Sequence, residues 1–438
     1  MADAKHKVER AAFGAAIDGI LKYVNKDETD REKAFLKLVD LSEKFMGDTF
    51  RKESYDAARR MIQDPDSKWM QYVNRILNEV DPHVIKMSAL DYGFEAAFCG
   101  KKEINEMRVK HQCNIPWLIL MDPTSACNLS FEDMDRIVTQ GKELGIYLYF
   151  FTGGEPLVRK DDIIRLCEKH DDCGFHAFTN GTLIDEKFCQ EMKRVGNFSV
   201  AISLEGFDEV NDLRRGKGVF DKVMHAMDLM KQYGLIFGTS ICYTSKNYKV
   251  VTSDEFLDMI IEKGARFSWY FHYMPVGNDA STELLLDPDQ REYMYHRIRE
   301  IRAMKGGKPI FAFDFQNDGE YVGGCIAGGR NYCHINPNGD VEPCVFIHYS
   351  GANIKEVDLL TALKQPLFMA YRANQPFNCN HLKPCPMLEN PEILQRMVHE
   401  TGAHSTDLQS PESVEHLCGK CAEYAKNWDE RAQKLWNK

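Results

Sequence analysis

The residues best suited to chemistry are the 14 cysteines, seven of which fall between Cys325 and Cys421. The opening stretch, "MADAKHKVERAAFGAAIDG", alternates charges and shows no apolar run leading to a small-residue cleavage site. No signal peptide is expected, so a cytoplasmic location with reduced thiols is, and dense thiolates then read as metal ligands. A second candidate is "FFTGGEPL", residues 150–157. Its two glycines let backbone N–H and C=O groups approach a ligand closely, Glu155 can hold an ammonium group, and Pro156 stiffens the turn. The alternative is an ordinary tight turn. The third is "TSACNLSFEDMD", residues 124–135, which opens like a cysteine loop at Cys127 but has no further cysteine before Cys167.

Elements must hold these groups. From Trp117 onward, short apolar runs alternate with helical stretches. The runs are "WLILM", "IYLYFF", "FHAFT", "FSVAIS", "LIFGTSICY" and "FSWYFHYM", and the stretches between and after them are 130–144, 159–170, 185–194, 218–232, 250–262 and 287–303. Six strand–helix units in a row predict parallel α/β structure, a partial (β/α)6 TIM-like barrel, with chemistry at the carboxyl ends of the strands. Cys127, the Gly153–Pro156 string, Thr179-Asn180-Gly181 and Ser203 to Gly206 all fall at such ends. Ser130, with Asp133 three residues on, reads as the cap of the first of these helices. No G-x-G-x-x-G follows the first strand, which excludes the usual dinucleotide site.

Residues 1–112 read as an N-terminal helical domain, with Ser67 as a helix cap. The plain reading is a bundle packed on the rest; the other is an interfacial helix in contact with membrane or an acyl substrate. Residues 113–306 form the barrel, and 307–438 a Cys-rich C-terminal extension in which "NPNGD" turns a hairpin that brings Cys333 towards Cys344. The net charge of −11 argues against nucleic acid as the main partner.

Residues 116–305 resemble the radical S-adenosylmethionine (radical SAM) superfamily. There a Cys-x3-Cys-x2-Cys loop after the first strand binds a [4Fe–4S] cluster whose open iron takes S-adenosylmethionine (SAM), and GGEP contacts the methionine amino group. The resemblance implies that Gly153, Gly154, Glu155 and Pro156 bind SAM, with Asn180, Ser203, Glu205 and Arg215 lining its pocket. It implies reductive cleavage of SAM to a 5′-deoxyadenosyl radical that abstracts hydrogen from a substrate. A flavodoxin- or ferredoxin-type reductant would supply the electron. The departure is plain: Cys127 stands alone with two of the three core ligands missing, either because the chain lacks the loop or because the sequence as given omits it, and one thiolate cannot hold that cluster. Cys167 and Cys173 belong to the opposite end of the barrel and, like Cys99, Cys113, Cys189 and Cys242, read as buried or inert.

The C-terminal cysteines resemble the SPASM or twitch extension behind many radical SAM cores. Cys325 and Cys344 fit its first element around Gly339, with 13 residues between Cys325 and Gly339. Cys385 and one of Cys418 or Cys421 complete the expected ligand set of one auxiliary cluster, with Cys333 and Cys379 in reserve. Zinc is the competing metal. His334, His348 and His381 read as supporting donors rather than ligands. The substrate is open among lipid, small molecule and peptide. A peptide is disfavoured because residues 1–110 carry no strand pattern; the aromatic end of the sixth run would floor the pocket. The reading from another class is a non-catalytic Fe–S and SAM-binding pseudoenzyme.

Overall fold

The computed structural model describes residues 2–26, 31–46, 52–123 and 129–437, so Cys127 lies outside the described residues. One nine-stranded sheet organises the chain. Its strands are β1 (Leu118–Met121), β2 (Leu148–Phe151), β3 (Gly174–Thr179), β4 (Phe198–Ser203), β5 (Phe237–Tyr243), β6 (Phe267–His272), β7 (Phe311–Asp314), β8 (Tyr332–Ile335) and β9 (Val341–Glu342). A separate pair joins β10 (Tyr349–Ser350) to β11 (His404–Ser405). The sheet runs β7-β6-β5-β4-β3-β2-β1-β8-β9, and every pairing is parallel except β8 with β9.

The central strands are near-continuous apolar runs because both faces are covered: β2 is buried at every residue. Between consecutive strands from β1 to β7, helices pack on the sheet through fully buried side chains such as Ile137, Ile163, Met192, Met227, Ile260 and Ile298. The helix after β1 (Phe131–Lys142) starts with a capping box in which Ser130 and Asp133 satisfy each other's backbone N–H. Asp185 and Ser253 cap the helices before β4 and β6. These caps fix where each loop ends, and thereby the depth at which the strand ends open.

The barrel portion goes further than six units. β7 is four residues with an aspartate, too short to stand out as a strand, and β8 returns from the Cys-rich extension to pair in parallel with β1. The turn at "NPNGD" does join β8 to β9 as a hairpin. It does not bring Cys333 to Cys344, however. Alternation puts Cys333 on the face opposite its neighbour Tyr332, and it is Tyr332 whose hydroxyl donates to Cys344 Sγ at 2.7 Å.

The described residues before Trp117 form helices joined by short turns, and Ser67 caps Lys68–Glu79 by accepting from Met70 N. Residues Ala89–Gly100 are a π-helix, which the apolar spacing does not announce. These helices close the amino end of the sheet. Asp81 N donates to Gly234 O, Tyr92 Oη to Phe175 O, Trp117 Nε1 to Ala96 O and Arg75 Nη1 to Pro309 O, at 2.9–3.2 Å. With that end plugged, the carboxyl end is left for ligands. No helix among the described residues is long and apolar enough to cross a membrane.

Candidate functional site

A cavity of about 450 Å3 opens at the carboxyl ends of β1 to β6. Five of the sequence-predicted SAM residues line it: Gly153, Gly154, Asn180, Ser203 and Arg215. Gly153 has φ +98°, a conformation that side chains rarely adopt, so the turn after β2 requires a glycine there.

The other three sit behind the wall. Glu155 was expected to face an ammonium group, but its carboxylate is occupied by its own chain. Oε1 accepts from Thr179 Oγ1 at 2.6 Å and Leu157 N at 3.0 Å, and Oε2 accepts from Asn180 N at 2.7 Å. It ties the glycine turn to the end of β3, which orients the backbone groups of Gly153 and Gly154. Pro156 is buried as the first residue of the short 3-10 turn that Glu155 caps. Glu205, 1% exposed, accepts from Cys242 N and pairs with both Arg214 (3.2 Å) and Arg215. Its charge holds two guanidinium groups at the cavity wall. Arg215 Nε is buried with no acceptor, so the wall keeps a donor that a carboxylate ligand would satisfy. The residues present fit SAM.

Sequence reasoning passed over Arg214 and Cys242, which also line this cavity. The doubled arginine at 214–215 was the available signal for the first. For Cys242 none existed, since its place follows from strand alternation along β5. Burial raises its thiol pKa above the ordinary range, with Glu205 adding to the rise. The aromatic run of β6 does reach the cavity, through Trp269, Phe271, His272 and Tyr273.

A second, mostly apolar cavity of about 270 Å3 is lined by Cys325, Cys344 and Cys385. Each thiol is supported by main chain: Cys325 by Ala327 N, Cys344 by Phe346 N, and Cys385 by Met387 N and Leu388 N at 3.4 Å. Burial pushes the Cys325 thiol up to about 12 and the Cys344 thiol to about 11, so ionisation there awaits a cation. Tyr371 is wholly buried, feels the charges of Cys325, Cys344, Cys385 and Cys418, and its hydroxyl has no partner. An orphaned phenol among four cysteines fits a cluster whose sulfur would accept its proton. Among the described residues no three of these sulfurs lie within 4.8 Å of one another. Ligands about 2.3 Å from one tetrahedral zinc would stand about 3.8 Å apart, so the spread suits a multi-iron cluster better.

Cys418 and Cys421 occupy the second turn of helix Val414–Trp436, and Cys418 borders a neighbouring cleft instead of the cavity of the other three. Cys379 is exposed. Cys167 and Cys173 are buried near the amino end of β3, where Asn197 Nδ2 donates to both their carbonyls, away from either cavity.

The two cavities share one wall: Tyr332, Phe315, Phe346, Ile326, Trp269 and Leu118 line both. A buried polar chain also joins them. His272 Nε2 lies 3.1 Å from Tyr424 Oη, and Arg291 Nη1 donates to that hydroxyl at 2.8 Å. Arg291 pairs with Glu389 at 2.6 Å, and Glu389 Oε2 accepts from Cys385 N at 2.7 Å.

The radical SAM superfamily matches residues 98–260. SPASM, an iron–sulfur cluster-binding domain, matches residues 325–386. The chain is a radical SAM protein with a SPASM domain. The first match contains the glycine turn, Glu205 and the arginine pair; the second contains Cys325, Cys344 and Cys385 and ends before Cys418. Families of these two kinds bind SAM and Fe–S clusters. An Fe-coproporphyrin III synthase of Methanosarcina barkeri is 26% identical over 202 residues, 44% of this chain and 50% of that protein. An AdoMet-dependent heme synthase of Oleidesulfovibrio alaskensis is 24% identical over 284 residues, 58% of this chain and 72% of that protein. Mycofactocin maturase MftC of Mycolicibacterium smegmatis is 26% identical over 286 residues, 62% of this chain and 70% of that protein. Streptococcus suis SuiB bound to S-adenosylmethionine shares the fold, with a TM-score of 0.53, 17% identity and coverage of 85% of this chain and 88% of that one.

Proposed function

We propose that this radical SAM protein binds SAM in the cavity at the carboxyl ends of β1 to β6 and one auxiliary [4Fe–4S] cluster in the cage beside it. The observation that carries this reading is the shared wall, above all Tyr332, whose ring lines both cavities while its hydroxyl donates to Cys344. Cys325, Cys344 and Cys385 hold the auxiliary cluster, with Cys418 or Cys421 as the fourth thiolate. Gly153 and Gly154 present backbone to the methionine end of SAM, and Asn180, Ser203 and Arg215 surround the rest. Glu155, Pro156 and Glu205 hold these groups in place. The aromatic side chains from β6 keep water out and favour an apolar group on the substrate. Relatives are named for heme synthesis and for mycofactocin maturation. The N-terminal region offers no strand, among its described residues, to pair with an extended peptide, which supports a compact apolar substrate.

When bound, the core cluster of this family supplies the electron, taken from a flavodoxin- or ferredoxin-type reductant, that cleaves SAM. The residues present do not fit that group. Cys127 is a single ligand, and among the described residues Cys242 is the one cysteine lining the cavity. SAM cleavage is therefore impaired in this chain, and SAM binding is the activity to test first. Calorimetry on anaerobically reconstituted protein should give 10- to 100-fold weaker SAM binding for Arg215→Met, the worth of one charged hydrogen bond at about 1.5–3 kcal/mol. Inserting a Cys-x3-Cys-x2-Cys loop that begins at Cys127 should raise 5′-deoxyadenosine formation under dithionite. Equal SAM affinity in wild type and Arg215→Met would sink the site assignment. Cleavage by the unaltered chain would sink the impairment.

A further inference from the structure

The N-terminal helices carry another set of metal donors, remote from both cavities. His6 and Arg10, one turn apart on helix Ala2–Val24, face Asp91, Glu95 and Cys99 on the π-helix Ala89–Gly100. The spacing of four keeps those three on one side of the helix, and π segments recur at functional sites. His6 Nε2 lies 2.8 Å from Glu95 Oε2, and a donor atom each of His6, Glu95 and Cys99 all lie within 4.8 Å of one another.

Charge around these donors is unbalanced. Asp91 and Glu95 are both fully buried, and one guanidinium serves the two: Arg10 Nη2 lies 2.8 Å from Asp91 and Nη1 3.2 Å from Glu95. Asp91 Oδ2 has no donor. Glu9 and Glu103 add negative charge around Cys99. Two buried carboxylates share one guanidinium and the His6 imidazole, which leaves an Asp91 oxygen unpaired in a dry interior, a costly arrangement. A plain ion-pair latch explains Arg10 with its two carboxylates, but does not require His6 and Cys99 beside Glu95.

We propose that His6, Glu95 and Cys99 bind a divalent first-row transition ion of the zinc class, which pins the first helix to the π-helix. A nitrogen, an oxygen and a sulfur donor select such an ion over magnesium or calcium. Glu103, whose charge reaches His6 and Cys99, or water completes four-coordination.

The test uses the full chain, reconstituted with iron and sulfide, washed with chelator and titrated with Co2+. Wild type should bind one Co2+ per chain with a thiolate-to-cobalt charge-transfer band, and Zn2+ should displace it and raise Tm. Cys99→Ser should lose the band, and Cys99→Ser and His6→Gln should each weaken Co2+ binding at least tenfold with iron content unchanged. His6 and Cys99 are both partly exposed, so either variant can decide the matter if the other fails to fold. Wild type that binds no Co2+, or variants that bind it as wild type does, would overturn the proposal.

Discussion

The pair Arg291–Glu389 is the perturbation that bears most directly on how the barrel and the cysteine cage are joined. Both side chains are 0% exposed and stand 2.6 Å apart. Arg291, on helix Pro288–Arg302, donates to Asn317 Oδ1 at 3.0 Å, Tyr424 Oη at 2.8 Å and Leu382 O at 3.2 Å, and lies 4.3 Å from the Trp428 ring centroid. It therefore links the barrel to the last helix and to the turn that carries Cys385. Arg291→Met removes the cation and leaves Glu389 charged in a dry interior, a change that costs about 3–5 kcal/mol. Adding Glu389→Gln removes the stranded charge while keeping an acceptor for Cys385 N, so the double variant should be more stable than Arg291→Met alone. The cycle should show coupling of about 2 kcal/mol or more, against about 0.5 kcal/mol for independent sites. Urea unfolding followed by circular dichroism, at matched m values, measures it. A second readout is iron retention, which should fall in Arg291→Met because Cys385 loses its anchor, and recover in the double variant. Additive single effects, or a cost under about 1 kcal/mol for Arg291→Met, would refute the reasoning.

Two further predictions follow. Burial would lower the His334 imidazole, but Asp122 and Glu342 on either side raise it to about 10 from 6.5. A raised folded value means the stabilisation is full below pH 6.5 and is lost as pH climbs through 10. Tm should therefore decline across that window in wild type more steeply than in His334→Gln, and parallel profiles would refute it. Cys325→Ala and Cys344→Ala should each abolish the visible absorbance of the reconstituted cluster while Cys127→Ala leaves it unchanged; iron loss in Cys127→Ala would point to a core cluster built from other ligands.

The strand–helix alternation was legible because each strand is an apolar run bounded by a cap such as Ser130 or Asp185, so period and punctuation agree locally. β7 and β8 were not, since Asp314 and His334 break their apolar runs and their place comes from neighbours: β8 is held by β1, more than two hundred residues earlier in the chain. The same distinction separates the site residues. Gly153 and Gly154 are dictated by the turn they make and can be read from the string. Glu155 and Glu205 could be placed at strand ends from the string, but their partners within the chain could not. Only the fold reveals that Thr179, Asn180 N and the two arginines absorb their charge. Tyr332 and Tyr371 carry no motif, because their role is to meet cysteines that come from distant segments.

That difference in where ligands originate also bears on the two metal sites proposed above. The cage draws Cys325 from a loop ahead of β8, Cys344 from the chain leaving β9 and Cys385 from a turn ahead of helix Pro391–Thr401. Each segment is anchored by its own contacts: Arg330 Nη1 donates to Cys325 O, Glu389 accepts from Cys385 N, and Asn390 Nδ2 donates to Cys385 O. No single loop controls it. The core cluster of the family instead takes all three ligands from one loop, so one local change removes most of them together. The glycine turn is tied to β3 through Glu155, and the arginines to Glu205 beneath β5, so among the described residues the cavity wall is held by its own contacts. Loop closure entropy grows only logarithmically with length, about 0.6 kcal/mol per doubling. A restored loop would thus meet a cavity already formed, its cost set by ordering the new segment alone.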